Sequence, residues 1–160
     1  MAELKVTIEQ FPLNALRFLK LQKEISKYTL VVPLRNGGAE WYHRYLDKML
    51  PPHKVQELEI HSYDGNRQQK TLTVELPEQQ HDVESILVES ILLVDDIVDS
   101  GLTMKVAGTI MQHFYPDVPV TGLTWFRRYG ANNLPPFKLV SLYTLYRMDK
   151  TWIVFPWEVE

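Results

Sequence analysis

Not one cysteine occurs in the 160 residues, which excludes a disulfide framework and any cysteine-ligated zinc. No stretch approaches the roughly 20 consecutive apolar residues that a membrane-spanning helix requires. Residues 1–10 carry no basic segment followed by an apolar run, so no secretory signal is expected. A basic excess is also missing. Lys and Arg number 17 against 20 Asp and Glu, a formal net charge of -3. That argues against a protein that clamps nucleic acid, because such affinity comes mainly from clustered cations neutralising phosphates. A single phosphate group stays possible, since local donors hold it whatever the total charge. Internal repeats, low-complexity tracts and linker-like segments are lacking as well. The five histidines, His43, His53, His61, His81 and His113, form no pair at metal-ligand spacing and are expected to pack or be solvated. With 45% hydrophobic and 23% charged residues, the chain has the balance of a soluble globular protein of one domain, residues 1–160, and a cytoplasmic enzyme fits best.

Periodicity supplies the elements. Thr7 and Gln10 form a capping-box pattern, and Phe11, Ala15, Leu16, Leu19 and Ile25 recur at helical spacing, which predicts a helix over 8–26. A β-branched strand over 28–34 runs into the polar turn Arg35-Asn36-Gly37-Gly38, after which 39–50 has helical composition and is stopped by Pro51-Pro52. Residues 55–61 and 71–76 alternate like the strands of a mobile hairpin with a polar tip over 62–70. The run 91–94, Ile-Leu-Leu-Val, reads as a strand buried on both faces of a parallel sheet. Val106, Ala107, Ile110, Met111 and Phe114 mark a helix face ended by Pro116, and strands follow over 118–126, 137–143 and 152–155. Alternating strands and helices indicate an α/β fold with an open, largely parallel sheet, whose ligands bind beyond the carboxyl ends of the strands.

The chemistry concentrates after the run 91–94. Asp95 and Asp96 leave that strand as adjacent carboxylates, Asp99 follows, and Ser100, Gly101, Leu102 and Thr103 form a small-residue loop feeding a helix. Backbone N–H groups of such a loop, backed by the helix dipole, make an anion site to which the Ser100 and Thr103 hydroxyls add donors. Carboxylates beside a phosphate would repel it unless they act on sugar hydroxyls, a bound Mg²⁺ or developing positive charge. The combination points to a sugar phosphate. An isolated Asp-Asp pair is usually only a solvated turn, but three spaced acids followed by Ser-Gly-x-Thr make that reading improbable.

This segment resembles the phosphoribosyl pyrophosphate motif of type I phosphoribosyltransferases. The resemblance implies a small hood and a flexible hairpin around the open sheet, Mg²⁺ as cofactor, and a homodimer or homotetramer. Asp95 and Asp96 would hold the ribose hydroxyls and the water shell of the metal. Asp99 would accept the proton of purine N7, and Ser100 to Thr103 would grip the 5-phosphate. Arg35-Asn36-Gly37-Gly38 resembles the family's Arg-Gly-Gly pyrophosphate loop with one asparagine inserted, so either Arg35 or Asn36 takes the arginine position. The segment Trp152-Ile153-Val154-Phe155-Pro156-Trp157-Glu158 is similar to the base-binding segment of xanthine-guanine and related 6-oxopurine enzymes. Trp152 would stack on the purine, the Ile153 main chain would meet its edge, and Glu158 would lie near its 2-position, while Phe155 and Trp157 are expected to be packing. Ser62-Tyr63-Asp64-Gly65 resembles the start of the lid loop, a solvated hairpin tip being the equal alternative. Where the family has a lysine to read the 6-oxo group, Arg127 aligns best, and Arg128 is expected to be solvated or paired.

The activity implied is transfer of ribose 5-phosphate from phosphoribosyl pyrophosphate to a 6-oxopurine, in purine salvage. Two rivals stand beside it. One is a sensor of phosphoribosyl pyrophosphate or a nucleotide with the same fold and no catalysis, which Asp99 and Trp152 disfavour. The other is a phosphoribosyltransferase for uracil, orotate or adenine, against which only the C-terminal segment and Arg127 speak. Neither a nucleic acid nor a membrane is expected as a partner.

Overall fold

In a computed structural model of the chain, residues 3–5, 23, 27–65, 69–75, 87–128, 135–145 and 152–159 are described. The helix expected over 8–26 lies outside them, apart from Lys23, which is helical. Among the described residues nine strands run β1 Glu3–Lys5, β2 Leu30–Arg35, β3 Lys54–Val55, β4 Leu58–Gly65, β5 Gln69–Glu75, β6 Ile91–Val98, β7 Val120–Arg128, β8 Leu139–Leu145 and β9 Trp152–Val154. Among the described residues, the main sheet is flanked by α1, Gly37–Trp41, whose winding continues through Tyr42–Leu46 and Asp47–Met49, and by α2, Leu102–Phe114.

The main sheet has the order β5-β4-β2-β6-β7-β8, with β3 also paired to β2. Every pairing in it is parallel except β4 with β5. Side-chain alternation on β6 assembles two cores. Leu92 and Val94 pack with Val31, Trp41, Tyr42, Leu46 and Trp125 on the α1 face. Ile91 and Leu93 pack with Val32, Leu34, Met104, Ala107 and Met111 on the α2 face. A strand covered on both sides needs apolar residues at consecutive positions, which is why it reads as an unbroken run.

β2 carries a proline at Pro33, and the sheet accommodates it. Thr29 and Val31 turn their carbonyls to the β3 side, accepting from Lys54 N at 2.9 Å and Gln56 N at 3.0 Å. Pro33, two residues on, faces the same side and has no N–H to offer. The pairing breaks there. β3 stays with Leu30 and Val31, and β4 resumes with Leu34 and Arg35. The break is the physical reason that one edge of β2 pairs with two separate strands, β3 and then β4.

Apart from the main sheet, β1 pairs in parallel with β9, matching Glu3 with Trp152 and Lys5 with Val154. This is the small second layer expected as a hood. From it, Ile153 and Phe155 bury their side chains against Trp125 and Phe126.

Several expected boundaries shift by a few residues, the strand over 55–61 divides into β3 and β4, and three of the changes bear on the candidate site. β6 continues to Val98, so Asp95 and Asp96 sit within the strand rather than at its exit. Gly37 and Gly38 form the first turn of α1 instead of a loop before it. Ser62 to Gly65 belong to β4, paired with Leu72 to Gln69 of β5, so the hairpin strands reach further than their apolar alternation suggests and the lid-loop start is a paired strand. Antiparallel backbone pairing carries through polar residues because the ladder uses main-chain groups alone.

Candidate active site

Connectivity locates the site before any side chain is considered. From β2 the chain moves outward to β3, β4 and β5. It returns to the opposite side of β2 as β6, and continues through α2 to β7 and β8. The direction reverses between β2 and β6, and ligands of open α/β sheets bind in the crevice beyond the carboxyl ends of strands at such a point. Its two walls are the turn 35–38 and the segment 95–103.

The walls touch through glycine. A Cβ on Gly38 would meet the Val94 carbonyl oxygen and lie 2.9 Å from Asp95 Cα. A Cβ on Gly37 would collide with the Asp96 carboxylate. The absence of side chains at 37 and 38 is what lets the start of α1 lie on β6 and brings the Asp96 carboxylate against the helix.

Asp95 and Asp96 are both partly buried, and their carboxyl groups interact with each other. Each also accepts from the next amide along the chain, Asp95 Oδ1 from Asp96 N at 2.9 Å and Asp96 Oδ1 from Ile97 N at 2.8 Å. Burial pushes the Asp95 carboxyl well above the usual range, and the neighbouring Asp96 charge adds to it. Burial also raises Asp96, with the Glu158 charge contributing.

Past Val98 the strand ends in a small-residue turn. Gly101 has φ of 89°, a left-handed conformation that a residue with a Cβ adopts only with strain, and its carbonyl accepts from Lys105 N at 3.0 Å as α2 begins. Leu102 N donates to Ser100 Oγ at 3.3 Å. Ser100 is exposed and Thr103 partly buried, both at the positive end of α2's dipole. At the head of this turn stands Asp99, 74% exposed, whose Oδ1 lies 3.0 Å from Arg128 Nε in an ion pair.

The remaining candidates divide. Arg35 turns away toward β4: its Nε donates to Glu57 at 2.7 Å and a terminal nitrogen lies 3.6 Å from Glu59, while His43 Nε2 lies 2.5 Å from the other Glu57 oxygen. The β2–β4 register, which sets Arg35 beside Glu59, creates this cluster. Asn36 is exposed at the head of α1, its carbonyl accepting from Glu40 N at 3.1 Å, and the Arg35–Asn36 peptide is cis. Arg127 is partly buried on β7 opposite Val98, and its Nε has no hydrogen-bond partner among the described residues. Trp152 is 58% exposed, whereas Ile153 is buried. Glu158 is turned back on its own segment: Phe155 N donates to its carboxylate at 2.8 Å, and Glu158 N donates to the Phe155 carbonyl at 3.0 Å. Pro156 followed by Glu158 is a helix-start pattern that foretells this reciprocal cap. Phe155 and Trp157 stack face to face at 4.9 Å, as packing residues do. His53, also packed, holds Tyr42 Oη at 2.5 Å and the Pro51 carbonyl at 2.6 Å.

Arg128, expected to be solvated or paired, pairs with Asp99. This pairing comes from the β6–β7 register, which sets Val98 beside Arg127 and so brings Arg128 level with Asp99.

Among the described residues no three His, Cys, Asp or Glu side chains are grouped as a direct metal site. The Asp95–Asp96 pair nevertheless suits a hydrated Mg²⁺, because it offers two adjacent carboxyl groups as hard oxygen donors.

The profile of the phosphoribosyl transferase domain family matches residues 12–160. Among solved structures, a purine phosphoribosyltransferase from Pyrococcus horikoshii Ot3 superposes with a TM-score of 0.68 at 19% identity, covering 99% of this chain and 95% of that one. The Helicobacter pylori xanthine-guanine-hypoxanthine phosphoribosyltransferase gives 0.71 at 24% identity, covering 97% and 93%. A hypothetical protein from Neisseria gonorrhoeae with bound ppGpp gives 0.64 at 19% identity, covering 99% and 90%. No curated protein matches the chain. Among the described residues no helix is long and apolar enough to cross a membrane.

Proposed function

The chain belongs to the phosphoribosyl transferase domain family, and from that membership we propose that it moves ribose 5-phosphate from phosphoribosyl pyrophosphate to guanine, xanthine or hypoxanthine, releasing pyrophosphate. The observation that carries this reading is the meeting, at the sheet's reversal point, of the Asp95–Asp96 pair, the Gly37–Gly38 helix start and the turn 99–103. All 160 residues act as one catalytic domain.

In this reading Ser100 to Thr103 bind the 5-phosphate through main-chain amides and two hydroxyls at the positive end of α2. Asp95 and Asp96 hold the ribose hydroxyls and, through water, Mg²⁺, which when bound supplies charge neutralisation for the departing pyrophosphate. Gly37 and Gly38 admit the pyrophosphate close to the backbone, and Asn36, exposed beside them, takes the polar position that Arg35 leaves by pairing with Glu57. As the bond from C1 to pyrophosphate oxygen loosens, positive charge grows on the sugar and the two carboxylates stabilise it. Asp99 accepts the N7 proton while N9 bonds to C1. Trp152 offers an exposed indole face on which a purine can stack.

The preference for 6-oxopurines draws on the C-terminal segment and on Arg127 of β7. Donor-only cations near the base favour an oxo acceptor over an amino group. The test is a spectrophotometric assay with phosphoribosyl pyrophosphate, Mg²⁺ and each common nucleobase. Turnover with a 6-oxopurine and none with adenine, uracil or orotate is expected. Turnover confined to one of those three bases would overturn the base assignment. Tight binding of phosphoribosyl pyrophosphate without turnover of any base would point instead to a sensor.

A further inference from the structure

We propose that Arg128 is a positioning residue for base transfer: it holds Asp99 in the orientation from which that carboxylate accepts the purine proton. The inference rests on the transferase reading above and adds to it a residue that the sequence leaves without a role.

The two partners are unequal, which decides which of them positions the other. Arg128 has a side chain only 16% exposed, on a strand bonded on both sides to β6 and β8. Asp99 is 74% exposed and stands one residue beyond the end of β6, just before Gly101 with its left-handed backbone. The guanidinium is thus fixed by packing, while the carboxylate sits at the head of a turn and has rotamers to lose. An ion pair between two exposed side chains orders little. Here one member is already ordered, so the 3.0 Å contact from Arg128 Nε to Asp99 Oδ1 fixes the rotation of the carboxylate.

Oδ1 is the oxygen held 3.0 Å from Arg128 Nε, and Oδ2 serves in this inference as acceptor for the incoming proton. The step balances: the C1–oxygen bond to pyrophosphate breaks with its electron pair leaving on pyrophosphate, the N9–C1 bond forms, and the N7 proton passes to Asp99. Arg128 gives up no proton and remains a cation throughout. Arg127, its neighbour, cannot substitute, because successive strand residues point to opposite faces.

The test compares wild type, Arg128→Gln, Arg128→Lys, Asp99→Asn and the double variant Asp99→Asn/Arg128→Gln with the best base. For R128Q, kcat is expected to fall about 10- to 100-fold, the size of loss a misplaced catalytic group produces. The KM for phosphoribosyl pyrophosphate should stay within about twofold, because the 5-phosphate and pyrophosphate contacts are untouched. R128K, which restores the charge but not the fork, should recover part of the loss. The double variant should be no slower than D99N alone, because the two residues act as a unit. An R128Q enzyme with wild-type kcat would overturn the inference, as would losses from D99N and R128Q that multiply. If R128Q only melts earlier, with kcat and KM intact below its transition, the role is structural and the inference falls. Absence of turnover by the wild type with every base would overturn the transferase reading itself, and the inference with it.

Discussion

Replacing each of the two adjacent glycines by alanine separates packing from chemistry in a single experiment. At Gly38 the added methyl would strike the main chain of β6, meeting the Val94 carbonyl oxygen, Asp95 Cα at 2.9 Å and Val94 C at 3.0 Å. That backbone is bonded on one side to β2 and on the other to β7, so it cannot give way without loosening both ladders. Overpacking costs about 1–3 kcal/mol, and rigid neighbours put this case at the upper end. Alanine in a helix returns about 1 kcal/mol. The net for Gly38→Ala is a loss of about 2 kcal/mol, or about 4–8 °C in Tm for a domain of this size. At Gly37 the obstacle is the Asp96 side chain, which can rotate away. Gly37→Ala should therefore keep its stability within about 1 kcal/mol, because helix propensity offsets the lost Asp96 hydrogen bond to Ile97 N. It should nonetheless lose at least about tenfold in kcat/KM for phosphoribosyl pyrophosphate, since Asp96 no longer faces the sugar. Thermal unfolding followed by tryptophan fluorescence, together with steady-state kinetics, reads both. A G38A protein as stable as wild type, or a G37A enzyme of full activity, would refute the account of how the two walls meet.

The Asp95 carboxyl is raised by burial and then by Asp96, so the folded protein holds its proton over a window that opens near the ordinary value of 3.8 and extends upward. Stability consequently falls as pH rises through that window, and Asp95→Asn should raise Tm at neutral pH while impairing transfer; a lower Tm for the variant at pH 7 would contradict this. Glu57 has the opposite sign: the His43 hydrogen bond, aided by Arg35, holds it below its ordinary 4.5, so its contribution is present above that value and is lost as pH falls beneath it. Glu57→Gln should cost less than about 1 kcal/mol at pH 7 and make acid unfolding less steep, as a fluorescence titration below pH 4.5 would show. Trp152→Ala removes an exposed ring, so Tm should barely move, whereas the KM for the base should rise about fivefold, equivalent to about 1 kcal/mol of stacking. An unchanged base KM would remove Trp152 from the site.

Much of the scaffold was legible because the signals were local. The unbroken run 91–94 announces a strand buried on both faces, the period of Val106 to Phe114 announces a helix covering one of them, and Phe155 and Trp157 stack as aromatic packing residues. Local signals misplaced the ends of elements where polar residues continue a backbone ladder. Asp95 and Asp96 extend β6, and Ser62 to Gly65 extend β4, for that reason. Between Arg35 and Asn36 the linear motif offers no choice, because the contacts that orient Arg35, with the carboxylates of Glu57 and Glu59, come from across the strand boundary.

Residue order alone settled the alternation of elements, the acidic strand end with its small-residue turn, and the glycine pair that follows β2. These properties depend on neighbours a few positions apart. Folding decided which distant groups share a space: Gly37 against Asp96, Arg35 with Glu57, and Arg128 beside Asp99. Each of those pairs is created by strand register or by close packing of a helix on a strand, and neither leaves a periodic mark along the chain.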